Sequence, residues 1–315
     1  TLRYTGTRLA VTGSGTRLVV EGNTAKYGGG IKVSDSAHVA LSSGARVEVR
    51  NNIATESSGG FYLNSAQLEI KGKGTHLLID KNKANDRGGG LSASYSIIIL
   101  SFGARMIVTN NIATDYGGGL YIQSTTRLEV SGSETRLAIA NNTADRGGGV
   151  YSLDATISLL SRAQVHVTSN RALRHGGGIA SQDSKTFISG SETRVVLNEN
   201  TANDNGGGMY TYSASTIVSL GAHLDVTNNF AFWNGGGLYF QEGSSFDCSG
   251  NGSSVLIDRN TAKYGGGILN LQKKTTLSKS ITISSGSKFE VTNNMATLIG
   301  GGLYLSNSAR LDVTG

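Results

Sequence analysis

Ten copies of one short motif follow one another along this chain, about thirty residues apart. Each copy has an asparagine, an alanine two residues later and a glycine triplet that ends seven or eight residues after the asparagine. Only the second triplet is incomplete, because Ser58 replaces its first glycine. Tandem units of this length stack on their neighbours in solenoid proteins. The asparagines are Asn23, Asn52, Asn82, Asn111, Asn142, Asn170, Asn200, Asn229, Asn260 and Asn294.

Two apolar residues precede every asparagine, five and three positions before it, as at Leu18 and Val20. A spacing of two is the period of a β-strand with one buried face. The glycine triplet predicts a sharp corner that opens a second strand, such as 119–122, and a third strand such as 127–130 precedes the next copy. We therefore expect an all-β parallel β-solenoid of about ten turns of ~30 residues, with three strands in each turn.

Residues 1–315 are expected to form one solenoid segment, and the repeats cut at both ends predict an internal fragment of a longer repeat protein. Successive triplet ends alternate between spacings of 30 and 29, so the repeating unit is a pair of turns. Odd turns carry Gly-Ser-Gly-Thr-Arg-Leu, Gly-Ser-Glu-Thr-Arg-Leu or close variants, and even turns carry Ser-Gly-Ala-Arg-Val or close variants. Six extra residues near Leu271–Lys279 predict a surface bulge.

The asparagine column is expected to be structural. Side-chain amides stacked at strand spacing can bond to one another and to backbone groups of the corner that the sheets leave unpaired. The alanine is expected to fill a corner too narrow for a larger side chain. Neither column is expected to contact a ligand.

An aliphatic residue, two residues of any kind, Asn-x-Ala, a glycine cluster and an apolar residue together resemble the repeat of the chlamydial polymorphic outer-membrane proteins. The corresponding residues are Val20, Asn23, Ala25 and the run Gly28-Gly29-Gly30-Ile31 in the first copy. That family carries Phe-x-x-Asn and Gly-Gly-Ala-Ile signatures, whereas here an aliphatic residue and a third glycine take two of those places. The resemblance covers essentially the whole chain. It implies a right-handed β-helix displayed outside the cell, in adhesins and large surface proteins.

Composition and motifs exclude several function classes. No apolar run approaches the ~20 residues of a membrane span. A net charge of +6 is dilute over 315 residues and no nucleic-acid module is visible, so no nucleic-acid partner is expected. The single cysteine, Cys248, is expected to be a small buried hydrophobe. No metal-ligand spacing, phosphate loop or Ser-His-Asp pattern occurs, so neither a metal nor another cofactor is expected.

A catalytic cleft on a parallel β-helix needs carboxylates held close together on neighbouring turns. The best candidates lie in the corner after the alanine, where acidic residues are also ordinary corner chemistry. We therefore assign no catalytic residue and expect a protein that is not an enzyme. The candidates are Glu56, Asp86, Asp115, Asp145 and Asp204.

Two outward stripes are candidate partner surfaces. The first lies six residues before the asparagines, and its stacked like charges favour an anionic partner, although a solvated face is the alternative. The second lies two places after the triplet, where tyrosines form either a flat platform for sugar rings or a stack that only stabilises the sheet. The arginines are Arg17, Arg46, Arg105, Arg136 and Arg194, and the tyrosines are Tyr62, Tyr121, Tyr151, Tyr210, Tyr239 and Tyr304.

The sequence thus favours a structural and adhesive repeat module of an extracellular or cell-surface fibre. Its expected partners are proteins, by self-assembly or through other surface components, and also glycans. The alternative is a β-helix that binds or cleaves polysaccharides through one of the two stripes.

Overall fold

The strands of the protein form four parallel sheets that run along the whole solenoid. The structure is a computed structural model that describes residues 6–272 and 280–315. Every strand pairs with the equivalent strands one turn before and one turn after it, so the sheets contain no antiparallel pair among the described residues. Turns are numbered by their asparagines, from Asn23 in turn one to Asn294 in turn ten. The bulge predicted near Leu271–Lys279 falls largely on 273–279, outside the described residues.

Sheets 1 and 2 consist mostly of five-residue strands whose second and fourth side chains point inward. The strands of sheet 1 are Arg8–Thr12, His38–Ser42, Gln67–Lys71, Ile97–Ser101, Arg127–Ser131, Thr156–Leu160, Lys185–Ser189, Ser215–Ser219, Ser245–Ser249, Ser280–Ser284 and Arg310–Val313. The strands of sheet 2 are Arg17–Glu21, Arg46–Arg50, His76–Asp80, Arg105–Thr109, Arg136–Ala140, Gln164–Thr168, Arg194–Asn198, His223–Thr227, Ser254–Asp258 and Lys288–Thr292.

Sheets 3 and 4 have shorter strands. The strands of sheet 3 are Thr24–Ala25, Ile53–Ala54, Lys83–Ala84, Ile112–Ala113, Thr143–Arg146, Arg171–His175, Thr201–Ala202, Phe230–Ala231, Thr261–Tyr264 and Met295–Ile299. The strands of sheet 4 are Ile31–Ser34, Phe61–Asn64, Leu91–Ser94, Leu120–Gln123, Val150–Leu153, Ile179–Gln182, Met209–Tyr212, Leu238–Gln241, Ile268–Gln272 and Leu303–Asn307.

Each turn therefore has four strands, and the prediction of three strands was wrong in this respect. The additional strand begins one residue after the asparagine, at residues that were predicted to form a corner. Its residues pair in register with the next turn, as Ile53 does with Lys83 and Ala54 with Ala84. Strands of only two residues in five of the inner turns carry too little alternation to be recognised as strands in a sequence.

A single apolar core fills the interior along the solenoid. Its columns come from the alternating positions of sheets 1 and 2 and from the first and third positions of sheet 4, where Phe61 and Leu63 are fully buried. Each such side chain contributes about 1.5–3 kcal/mol of hydrophobic stabilisation when it is buried. Cys248 lies fully buried within sheet 1, in the same column as Val130. No helix long and apolar enough to cross a membrane occurs in the described ranges.

The asparagines form a continuous ladder inside the corner between sheets 2 and 3. In each of the nine links, the side-chain nitrogen Nδ2 donates to Oδ1 of the next asparagine at 2.9 to 3.1 Å. The same Oδ1 accepts the backbone N–H of the earlier asparagine, as Asn142 does from Asn111 at 2.9 Å. Nδ2 also donates backward, as from Asn111 to the backbone oxygen of Ile79 at 3.0 Å. One amide therefore connects three turns.

Left-handed backbone just before the ladder makes this geometry possible. The residue preceding each ladder asparagine has a positive φ, for example 56° at Asn110 and 54° at Asn141. Asparagine tolerates this conformation better than most residues. The first asparagine of each Asn-Asn pair thus forms the corner, and the second forms the ladder.

The glycine triplet forms the corner between sheets 3 and 4, and its second glycine is fixed by crowding. A Cβ added to Gly118 would lie 2.5 Å from the backbone oxygens of Thr143 and Gly148, on the next turn. The first glycine instead needs a left-handed φ, which Gly117 adopts at 63°. Ser58 adopts the same conformation in turn two, and its hydroxyl donates to the backbone oxygen of Phe61.

The alternation of odd and even turns corresponds to a hydroxyl shared between two turns. Thr135 lies fully buried in the corner between sheets 1 and 2 of turn five. Its Oγ1 donates to the backbone oxygen of Ser131 at 2.9 Å and accepts the N–H of Gly103, on the preceding even turn, at 2.9 Å. The even turn carries Ala104 at the equivalent corner position, also fully buried. Because one hydroxyl serves two turns, the sequence repeats every two turns.

Candidate functional site

The arginine stripe forms one column along the outer face of sheet 2. Its members occupy the first position of consecutive strands and pair in register, in the order Arg17, Arg46, His76, Arg105, Arg136, Gln164 and Arg194. Neighbouring positions are about 4.8 Å apart, the spacing of strands in a sheet. The structure therefore brings the five predicted arginines onto one face.

Two of these arginines are neutralised by a carboxylate on the following turn. Arg17 donates through two nitrogens to both oxygens of Glu48, at 2.9 Å each. Arg194 donates from Nε to Asp225 at 2.8 Å. These hydrogen bonds from Arg17 are the main reason that the pKa of Glu48 lies below its ordinary value. Both ends of the arginine column are thus ion-paired.

The middle of the column has a different electrostatic environment. Within the described part of the chain, Arg46, Arg105 and Arg136 have no carboxylate within ion-pairing distance, and all three are exposed. Glu48, on the same strand as Arg46, is held by Arg17. Burial and the charges of Arg105 and Arg46 lower the pKa of His76, which lies among them. We call Arg46, His76, Arg105 and Arg136 the basic column.

The tyrosines occupy the second position of the strands of sheet 4, but they do not form the exposed platform considered from the sequence. Tyr121, Tyr151 and Tyr239 are only 2%, 5% and 3% exposed, and Tyr62, Tyr210 and Tyr304 are partly buried. Tyr121 and Tyr151 stack with ring centroids 5.7 Å apart. The buried rings therefore form no flat, exposed platform along the column.

Side chains from the corner before the glycine triplet cover these rings. Tyr116 packs on Tyr151 of the following turn with ring centroids 4.7 Å apart, and His175 stacks on Tyr210 at 4.9 Å. Burial raises the pKa of Tyr151 to about 12 and that of Tyr210 to about 12. This cover was not predictable from the repeats, because the covering residues differ in type from turn to turn.

Three of the five corner carboxylates form ion pairs among the described residues, whereas Asp115 and Asp204 form none there. Glu56 lies 3.1 Å from Nζ of Lys26, and Asp86 lies 3.1 Å from Nε of Arg87. Asp145 accepts hydrogen bonds from Arg174 of the next turn. Among the residues that the structure describes, no group of three or more His, Cys, Asp or Glu side chains could hold a metal ion.

Two further surface features have no counterpart in the sequence analysis. Phe230, Phe232 and Trp233 form an exposed aromatic patch on turn eight, and Nζ of Lys263 lies 3.9 Å from the centre of the Trp233 ring. The other feature is a cavity on sheet 4, where Ala180 takes the place of a tyrosine. Ala180 is a break in the tyrosine column and the aromatic patch occurs on a single turn, so a search for repeated residues overlooks both.

No family model matches this chain. None of the curated proteins compared with it matches either. Among solved structures, the chain is similar to a hyper-glycosylated fragment of TibA, residues 55–350, whose modification is catalysed by TibC. The identity is 19%, the match covers 97% of each chain and the TM-score is 0.18. At so low a TM-score, the match supports no inference about function.

Proposed function

We propose that this chain is a non-enzymatic structural and adhesive rod of an extracellular or cell-surface assembly, and that it binds acidic polysaccharide along the basic column. Other proteins of the same assembly, including further copies of this chain, are its additional proposed partners. The ladder, the glycine corners and the apolar core stabilise the rod. The outward side chains bind the partners.

The observation that carries the proposal is the contrast within the arginine column. Arg17 and Arg194 each hold a carboxylate of the following turn, whereas three arginines between them have none among the described residues. The strand positions two residues after Arg105 and Arg136 are Ile107 and Ala138, so neither strand supplies a carboxylate there. The positive charges of Arg105 and Arg136, and more weakly that of Arg46 near Glu48, are therefore available to attract an anionic partner.

The geometry of the column favours a linear polyanion. From Arg46 to Arg136 the column spans three strand spacings, about 14 Å, on a regular sheet. Exposed charges at this spacing lie near or within one Debye length at physiological salt, so they act on a polyanion together. Binding is consequently expected to weaken as the salt concentration rises.

Immobilised polygalacturonate tests the proposal, with neutral dextran as the reference polymer. The parent chain is expected to bind polygalacturonate, and the double variant Arg105→Gln plus Arg136→Gln to bind it much more weakly. The matched control is Arg17→Gln plus Arg194→Gln, which removes the same charge from the same column at positions that are already ion-paired. Equal losses in the two double variants, or no binding by the parent, would refute the proposed surface.

The non-enzymatic part of the proposal needs a separate measurement. The parent chain is incubated with polygalacturonate, and new reducing ends and the ultraviolet absorbance of unsaturated sugar products are followed. We expect neither to rise above a heat-inactivated sample. A protein-dependent release of either product would show a polysaccharide-cleaving enzyme instead.

A further inference from the structure

The tyrosine column of sheet 4 is interrupted by Ser92, Ala180 and Leu269, and the smallest of these side chains, Ala180, lies at turn six. Ala180 pairs in register with Tyr151 on one side and with Tyr210 on the other. Those two tyrosines are therefore two strand spacings apart, about 9.6 Å, with only a methyl group between them. The interruption leaves a cavity of about 260 Å³. We call it the notch.

The side chains that pack over the tyrosine column leave the notch accessible to a ligand. In five turns the residue before the triplet packs over the tyrosine of the following turn, as Tyr116 does over Tyr151 and His175 over Tyr210. Arg146 has this position in turn five, but the following turn offers it Ala180 instead of a ring. The guanidinium of Arg146 lies 5.9 Å from the centre of the Tyr116 ring on the preceding turn and lines the space above Ala180.

The walls of the notch combine apolar and polar groups. Tyr151 and Tyr210 contribute aromatic carbon, and Gln182 and Tyr212 contribute polar atoms to the lining. The hydroxyl of Tyr151 donates to Oε1 of Gln182 at 3.0 Å, which fixes the position of that amide. Among the described residues, Nε of Arg146 is buried without a hydrogen-bond partner and lies 3.9 Å from Oδ2 of Asp145, so the carboxylate holds the guanidinium at the notch.

The volume and the charges around the notch narrow the class of ligand. A cavity of about 260 Å³ is slightly smaller than the ~300–1,000 Å³ of pockets for drug-sized ligands, so it suits one ring rather than a chain of rings. Asp145 and Asp204 lie near Arg174, and Glu242 accepts a hydrogen bond from Tyr212. These carboxylates disfavour an anionic ligand, and the aromatic walls favour a ring with apolar C–H faces.

We propose that the notch binds one neutral hexopyranose residue. The C–H faces of the sugar ring pack against Tyr151 and Tyr210, and a ring hydroxyl accepts a hydrogen bond from the guanidinium of Arg146, which lines the notch. The notch lies on sheet 4 and the basic column on sheet 2, so this site is separate from the polysaccharide surface proposed above.

Ligand-detected saturation-transfer NMR with methyl β-D-galactopyranoside and methyl β-D-glucopyranoside tests the proposal on the full chain. Methyl β-D-glucuronide serves as the charged counterpart. At least one neutral glycoside is expected to receive saturation, and the glucuronide to receive less. Ala180→Tyr restores the missing ring and is expected to abolish the signal, whereas Ala180→Ser keeps the notch open and is expected to preserve it.

Arg146→Gln is expected to weaken the neutral glycoside about three- to tenfold, through the loss of one hydrogen bond. Arg87→Gln is the matched control, because Arg87 has the same corner position in turn three but covers Tyr121. Circular dichroism establishes that each variant is folded. Unchanged binding in a folded Ala180→Tyr variant, or no saturation of either neutral glycoside by the parent, would overturn the proposal. Ala180→Tyr is expected to bind polygalacturonate as the parent does. Failure of the sugar site in the notch can therefore be distinguished from failure of polysaccharide binding at the basic column.

Discussion

Replacing one inner asparagine of the ladder should destabilise the solenoid far more than replacing its exposed neighbour. Asn111→Ala removes the acceptor of the backbone N–H and of one side-chain N–H of Asn82, at 2.9 and 3.0 Å. It also removes the donor to the backbone oxygen of Ile79. A buried polar group left without a partner costs about 1–3 kcal/mol. Three such groups give on the order of 3 kcal/mol at the lower limit, even if water enters the vacated space.

The control is Asn110→Gly, one residue earlier in the same corner. Asn110 is exposed and has a left-handed φ of 56°, which glycine adopts without strain. Its only side-chain hydrogen bond within the described residues is to Asp80 at the surface, at 2.8 Å. We expect this variant to change the free energy of unfolding by about 0.5 kcal/mol or less.

Chemical denaturation compares the two variants, and native-state hydrogen exchange localises the effect. A solenoid is stabilised turn by turn, so Asn111→Ala should raise exchange most in turns three to five. Equal changes in the two variants, or a change below about 1 kcal/mol for Asn111→Ala, would show that the ladder does not stabilise the rod as argued.

Three further predictions concern the corners and the histidines. Gly118→Ala should lower the denaturation midpoint strongly, since its Cβ would lie 2.5 Å from two backbone oxygens; an unchanged midpoint would contradict the crowding. Thr135→Val should lower the free energy of unfolding by about 1–3 kcal/mol, because the N–H of Gly103 on the preceding even turn loses its acceptor. A smaller loss in thermal unfolding would argue against the shared hydroxyl. Burial lowers the pKa of His76, His166 and His175 from a reference near 6.5, so the unfolded chain binds more protons and the melting temperature should fall as the pH falls from about 7 to 5. Replacing all three by glutamine should flatten that dependence; an unaltered slope would exclude them as its cause.

Much of the architecture was predictable because solenoid repeats present the same environment many times. The apolar columns before Asn23 and its equivalents predicted sheet 2 and its buried face. The predicted strands 119–122 and 127–130 correspond to strands of sheets 4 and 1, respectively. The missing element was sheet 3, whose strands are too short to show alternation.

The candidate binding surfaces were predictable only in part. The sequence placed the arginines on one face, but it could not show that Glu48 pairs with Arg17 of the preceding turn rather than with Arg46 of its own strand. Nor could it show that corner residues such as Tyr116 fold over the tyrosines and bury them. Both outcomes depend on contacts between turns. The repeated residues therefore predict the framework well, but they do not predict the environment of the proposed sites.

Arginine footprinting tests the central claim, that the basic column is the polysaccharide surface, most directly. The parent chain is treated with phenylglyoxal with and without polygalacturonate, and modification of each arginine is measured by mass spectrometry. The polymer is expected to protect Arg46, Arg105 and Arg136 from modification and to leave the modification of Arg194 unchanged. Uniform protection of all arginines, or protection of none, would contradict it.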